Sequence, residues 1–302
     1  MTASDGLDPA IVAAIIAAIV AVVTTILAAP LRIWAESIVA GRRLKVEYEY
    51  EQRKELANII AVHHGRLLAA CESWHYRLSN LYVNEEKGWL SSPGGYYFLT
   101  TCFRFLAVCS LARSFERRAF FIDARIAQER DLEFLNYIRA FFWVVTDPAL
   151  FAEVDYDETE STDHFFADQL RWICDSFCPR EDTCLTFKEF EALSAQPQDP
   201  FKDVSAFFHG LNSREERLRW DRIVCFHLLV MAFLNSVGYQ TQSSSDEDFR
   251  FVVGKVRHPQ ILSNLTIWLP RLGLEDQAEA KRILEAHVSI NLASVTPSSG
   301  KT

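Results

Sequence analysis

Residues 11–27 read IVAAIIAAIVAVVTTIL, an apolar run in a chain whose remainder has the composition of an ordinary soluble helical protein. The uncharged stretch extends from Pro9 to Ala29, with Thr24 and Thr25 its only polar residues. About 20 residues at 1.5 Å rise each cross a hydrocarbon core of about 30 Å. The run is therefore read as a transmembrane anchor, with Ile11, Ile15, Ile19, Val22 and Ile26 along it. A cleaved signal peptide fits less well. It would open with a basic segment, whereas Met1 to Asp8 carries Asp5 and Asp8 and no Lys or Arg, and Pro30 follows the small-residue site Ala28-Ala29.

The cations that follow the run set its expected orientation. Arg32, Arg42, Arg43 and Lys45 all lie just beyond it, and the positive-inside rule then places the C-terminal bulk in the cytoplasm and the N-terminus outside. Trp34 and Arg32 are expected at the headgroup level, with Ile38 and Val39 resting beside them. Ala10, Ala14 and Ala18 repeat at every fourth position, as do Ala13, Ala17 and Ala21. Small residues at that spacing let helix backbones approach closely in lipid, which makes these two rows a candidate association face; Ala is also simply common in membrane spans.

Of the 302 residues, 49% are hydrophobic, enough to bury the core of one large or two small domains once the anchor is set aside. The net charge of −9 argues against nucleic acid as the main partner, because neutralising phosphates needs a cationic excess. The seven cysteines, Cys71, Cys102, Cys109, Cys174, Cys178, Cys184 and Cys225, are odd in number and sit mostly in apolar helical surroundings, a pattern expected of reduced thiols in a cytoplasmic domain.

Gly41 is expected to permit a bend after the anchor. From Leu44 to Tyr82 there is no Pro, and Leu56, Ile60, His63, Leu67, Ala70, Trp74, Leu78 and Leu81 recur at spacings of three or four, predicting a long amphipathic helix. Its polar beginning reads as a stalk. Tyr96 to Ala112 is apolar enough to be weighed as a second span, but Arg104 near its centre would cost about 2.5–3.5 kcal/mol in lipid, which favours a core helix. A helix is expected from about Asp131 to just before Pro148, then an acidic loop from Glu153, with Asp163 capping a helix that turns Phe166, Leu170, Ile173 and Phe177 inward. Thr186 with Glu189 and Ser213 with Glu216 have capping-box spacing, and Pro200 suits a first helical turn. Arg214 to Val237 reads as an apolar helix closed by Gly238, followed by a polar break at Ser243 to Asp248 and helices near 249–256, 260–269 and 275–292. No segment alternates as a strand would. The fold class is therefore all-α, divided into a tail over 1–9, a transmembrane anchor over 10–29, a juxtamembrane and stalk segment over 30–55, a multi-helix domain over 56–293 and a disordered tail over 294–302.

Candidate chemistry is thin. Asp155, Asp157, Thr159, Ser161 and Asp163 alternate as calcium ligands do in an EF-hand loop, but Glu160 stands where that loop needs Gly and Phe166 where it needs a bidentate Glu. His164, Asp168, Cys174 and Cys178 supply metal-ligand types on one stretch, without the paired two-residue spacing of zinc knuckles. His63, His64 and His75 lie on the long helix, the first two on different faces. No phosphate loop, nucleophile elbow or dinucleotide fingerprint is present, so no cofactor is expected.

Arg222-Ile-Val-Cys-Phe-His227 and Arg282-Ile-Leu-Glu-Ala-His287 each place a His five positions after an Arg. This resembles the signature of the HEPN ribonucleases, all-α proteins in which such a pair cleaves RNA at a dimer interface. The resemblance covers these few residues and lacks the polar residue that usually stands beside the Arg. It implies Arg222 and His227 as catalytic candidates.

Aromatic pairs recur at Phe120-Phe121, Phe141-Phe142-Trp143, Phe165-Phe166 and Phe207-Phe208. Consecutive aromatics on a helix cannot share one face, so they must meet a second packing layer, a partner or the membrane. The expectation is a single-pass protein, of bacterial type, whose cytoplasmic helical domain works by protein-protein interaction as a tether, sensor or scaffold. Its partners would be the lipid bilayer and either another protein or a second copy of itself. An oligomerising membrane-perturbing effector and a helical hydrolase or HEPN-like ribonuclease are the alternatives.

Overall fold

The computed structural model describes residues 8–119, 127–159, 163–180, 183–275 and 277–295. Among them there are ten α-helices and no strand. The chain forms two compact units, residues 1–55 and 56–302.

The first unit is helical from Pro9 onward as part of α1, Pro9–Val83. Asp8 starts it by accepting from the Ala10 N–H at 3.0 Å, with Pro9 at the first helical position, where its missing N–H costs nothing. The Thr24 and Thr25 hydroxyls each return to a carbonyl one turn back, Val20 and Ala21, both at 2.7 Å. No residue of Pro9–Ile26 is buried within the protein. The helix runs on without a break at Gly41, contrary to the expected bend. Glycine permits a bend but does not impose one, and nothing lies within 4 Å of where its Cβ would be.

The second unit holds the core. From α1 it takes Leu56, Ile59, Leu67, Cys71, Trp74, Leu78 and Leu81, all buried at helical spacing. Then come α2 (Tyr96–Ala119), α3 (Glu129–Thr146), α4 (Ala167–Phe177), α5 (Phe187–Ser194), α6 (Lys202–Phe208), α7 (Arg219–Val237), α8 (Asp246–Val253), α9 (Pro259–Arg271) and α10 (Ala278–Val295). α7 is buried on every side and packs against α3, α8, α9 and α10. Trp74 closes the centre, its ring 5.8–6.0 Å from those of Phe105 on α2, Phe208 on α6 and Phe226 on α7.

Among the described residues three helices are long and apolar enough to cross a membrane, Pro9–Ile26, α2 and α7, and the last two are 72% and 89% buried inside the protein. In α2, Arg104 donates to the Ser73 carbonyl of α1 at 3.3 Å. The aromatic pairs are mostly core: Phe141, Trp143, Phe165, Phe207 and Phe208 are buried, while Phe142 is half-buried and Phe166 exposed. Phe120-Phe121 lie outside the described residues.

Several local expectations are corrected. Asp163 does not cap α4, which starts after Phe166 with no side-chain cap; its carboxylate accepts from Arg217 Nε at 2.8 Å and the Leu218 N–H at 2.9 Å. That contact, with Arg257 donating to the carbonyls of Glu215 and Arg217, holds residues 214–218 in turns. α7 consequently begins at Arg219, and Ser213 with Glu216 forms no cap. Pro200 precedes α6, where Asp199 accepts from the Phe201 N–H at 2.7 Å. The Thr186–Glu189 capping box does form, and Ser245 with Asp248 forms another that starts α8 inside the expected polar break. Cys178 and Cys184 are joined in a disulfide, against the expectation that all seven thiols are reduced. The other five are free and buried. α10 reaches Val295, two residues into the expected tail, and 296–302 lie outside the described residues.

Candidate functional site

The structure sends the candidates from the sequence to separate places. Arg222 is fully buried at the end of α3. Its guanidinium donates to the carbonyls of Val144 at 2.6 Å and Asp147 at 3.2 Å and lies 4.2 Å from the Phe151 ring centre. Helices end with unsatisfied carbonyls, and a cation there also opposes the dipole, so Arg222 serves as a side-chain cap on α3. Burial lowers its pKa to about 10. His227, five residues on, bonds to other partners described below, so the two do not face a common position. Arg282 pairs with Asp246 and Glu279, whereas His287 meets the Ser263 hydroxyl at 3.3 Å.

The metal candidates separate too. His164 Nδ1 bonds to the Tyr156 hydroxyl, Asp168 projects outward and pairs with Arg171 at 2.9 Å, Cys174 is a buried free thiol raised to about 12 by burial, and Cys178 is in the disulfide. Among the described residues no three His, Cys, Asp or Glu side chains converge as a metal site. In the acidic loop, Asp157 accepts from Thr159 and Asp163 turns inward to α7; Ser161 lies outside the described residues.

On the first unit, Ile11, Ile15, Ile19, Val22 and Ile26 are exposed, as are Ala10, Ala14 and Ala18 and the second row Ala13, Ala17 and Ala21. Arg32 pairs with Glu36 at 2.8 Å and Lys45 with Glu49 at 3.9 Å, while Trp34, Arg42 and Arg43 are exposed.

The most structured polar site joins residues far apart in sequence. His75 on α1 places Nδ1 2.9 Å from His227 Nε2 on α7, and His227 Nδ1 lies 3.2 Å from the Tyr82 hydroxyl. Tyr82 and His227 are buried; His75 is half-buried and lines a cleft of about 250 Å³. The other walls include Glu72, Tyr76, Ser79, Gln242, Ser244, Asp248 and Phe251. Burial holds His227 well below the ordinary imidazole value, with His75 beside it adding to the effect, and burial lowers His75 against the opposing pull of Asp248 and Glu72. Burial raises the Tyr82 phenol. All three groups are therefore neutral near pH 7.

Bonding assigns the tautomers. The Tyr82 hydroxyl has His227 as its partner and donates to it, because a buried O–H without an acceptor is costly. His227 then carries its proton on Nε2 and donates to His75 Nδ1, which leaves the His75 proton on Nε2.

No protein-family model matches the chain, and comparison with curated proteins and with solved structures finds no match. The site is thus read from its own chemistry. Nothing local in the sequence marks His75 as the partner of His227, since they are 152 positions apart and meet only through the packing of α1 on α7.

Proposed function

We propose that the chain is a single-pass membrane protein whose helical domain acts through protein-protein interaction at the membrane surface, as a tether, sensor or scaffold. One observation carries this reading: Pro9–Ile26, 18 residues of mean hydropathy 2.6, has no buried residue. An apolar helix left uncovered needs lipid or a partner. The two Thr hydroxyls inside it are satisfied by its own backbone, as a lipid-exposed segment requires. The cations from Arg32 to Lys45 favour the helical domain on the cytoplasmic side.

The Cys178–Cys184 disulfide favours the opposite orientation, with the domain in an oxidising compartment. One experiment tests both points. Full-length protein carrying Ser4→Cys is expected to stay with membranes after alkaline carbonate extraction and to react with an impermeant maleimide added to intact cells. Release by carbonate sinks the anchor. Retention with Ser4→Cys protected reverses the orientation, and the native disulfide should then resist blocking by alkylation of intact cells.

A further inference from the structure

The His75 cleft belongs to the helical domain alone, and its walls have a definite chemistry. Glu72 and Asp248 both line it, and neither forms an ion pair among the described residues. One Glu72 oxygen accepts from Gln242 Nε2 at 3.1 Å, and Asp248 Oδ2 accepts from the Ser245 N–H and hydroxyl at 2.7 Å, so each carboxylate keeps an oxygen available. These two are also the charges that act on His75, which gives the cleft a negative field. Ser244 lines the same wall; it is buried, only 5% exposed, and its hydroxyl has no hydrogen-bond partner.

Two exposed aromatic side chains, Tyr76 and Phe251, also line the cleft. Lys255 Nζ lies 4.6 Å from the Phe251 ring centre, so that ring is already engaged and Tyr76 supplies the other aromatic contact. Ring faces of this kind attract ammonium and guanidinium groups, more strongly where water is partly excluded. The proton on His75 Nε2 adds a donor, fixed by the Tyr82–His227–His75 chain of hydrogen bonds, that suits an oxygen beside the cationic group.

We propose that this cleft binds a small organic cation, an ammonium or guanidinium group with a neighbouring oxygen acceptor, held between Glu72 and Asp248 and beside Tyr76. The cation is supplied either by a free small molecule or by a basic side chain displayed on a protein partner. Binding does not depend on the anchor, so its failure leaves the membrane reading untouched.

The test is calorimetric titration of full-length protein in mild detergent. The probes are argininamide, for a free cation, and the capped tripeptide Gly-Arg-Gly, for a displayed side chain, with capped Gly-Gln-Gly as neutral control. Saturable binding at one site is expected for at least one cationic probe, and the tighter of the two names the source. Glu72→Gln keeps the side-chain shape and the Gln242 contact, and should weaken binding about tenfold or more by removing a charge-assisted bond. His75→Phe, with thermal melting to show that it folds, should weaken argininamide more than a simple alkylamine such as cadaverine. Cationic probes that bind no better than the neutral peptide overturn the proposal, as does a Glu72→Gln protein that binds like the parent.

Discussion

Pro9–Ile26 and α7 are both long and apolar enough to cross a membrane, yet one has no buried residue and the other is 89% buried. They differ in mean hydropathy, 2.6 against 1.3, and in how their polar groups are satisfied. In Pro9–Ile26 the only hydroxyls bond to the helix that carries them. In α7 every polar group reaches another element: Asp221 to Arg257 at 2.7 Å and His258 at 3.3 Å, Arg222 to the end of α3, and His227 to His75 and Tyr82. The polar groups of Pro9–Ile26 are thus satisfied within their own helix and those of α7 by its neighbours.

Charge placed in the two helices should separate these roles most strongly. Ile15→Arg combined with Ile19→Arg adds about 6 kcal/mol to the cost of membrane insertion, at about 3 kcal/mol per central Arg. The protein should move to the soluble fraction with the thermal unfolding of its helical domain unchanged. Retention in carbonate-washed membranes would erase the distinction between the two helices. Removing a charge from α7 should do the reverse. Asp221 is fully buried and accepts from the Arg257 N–H at 2.6 Å as well as from its guanidinium. Asp221→Ala leaves those donors facing an empty position and should cost about 3–5 kcal/mol in denaturant unfolding, with no change in membrane fractionation.

A smaller effect distinguishes the helices by pH. Burial holds His227 well below its ordinary value, so the unfolded chain takes up its proton first as the solution is acidified. The stability this neutral His supports is complete above about pH 6.5 and falls as pH drops below that value, by up to about 1.4 kcal/mol per unit. His227→Gln should flatten the acid limb of a stability–pH curve between about pH 6.5 and 5. Pro9–Ile26 contains no titratable side chain, so membrane retention should not vary over the same range. An unchanged acid limb in the variant would mean that His227 is not the group being protonated.

The all-α class was legible because helical periodicity is local. The residues from Leu56 to Leu81 show their buried face in sequence, and so does the Thr186–Glu189 box, whose partners are three positions apart. The errors fall where a distant partner outcompetes a local one. Asp163 stands where a helix cap is wanted, yet bonds to Arg217 and Leu218, more than 50 positions away. Arg222 and His227 share a helix and a suggestive spacing, but each is claimed by a different neighbour. The cleft was hidden for the same reason, because Glu72 and His75 acquire meaning only when Gln242, Ser244 and Asp248 are brought beside them.

The aromatic runs carry a last consequence, which is optical. Trp143 on α3 and Trp268 on α9 stack with ring centres 5.0 Å apart and planes inclined by 29°. Indoles this close couple their excited states and give a paired circular-dichroism band that neither produces alone. The docking of α9 on α3 therefore has its own spectral signature, readable in the intact protein without a label.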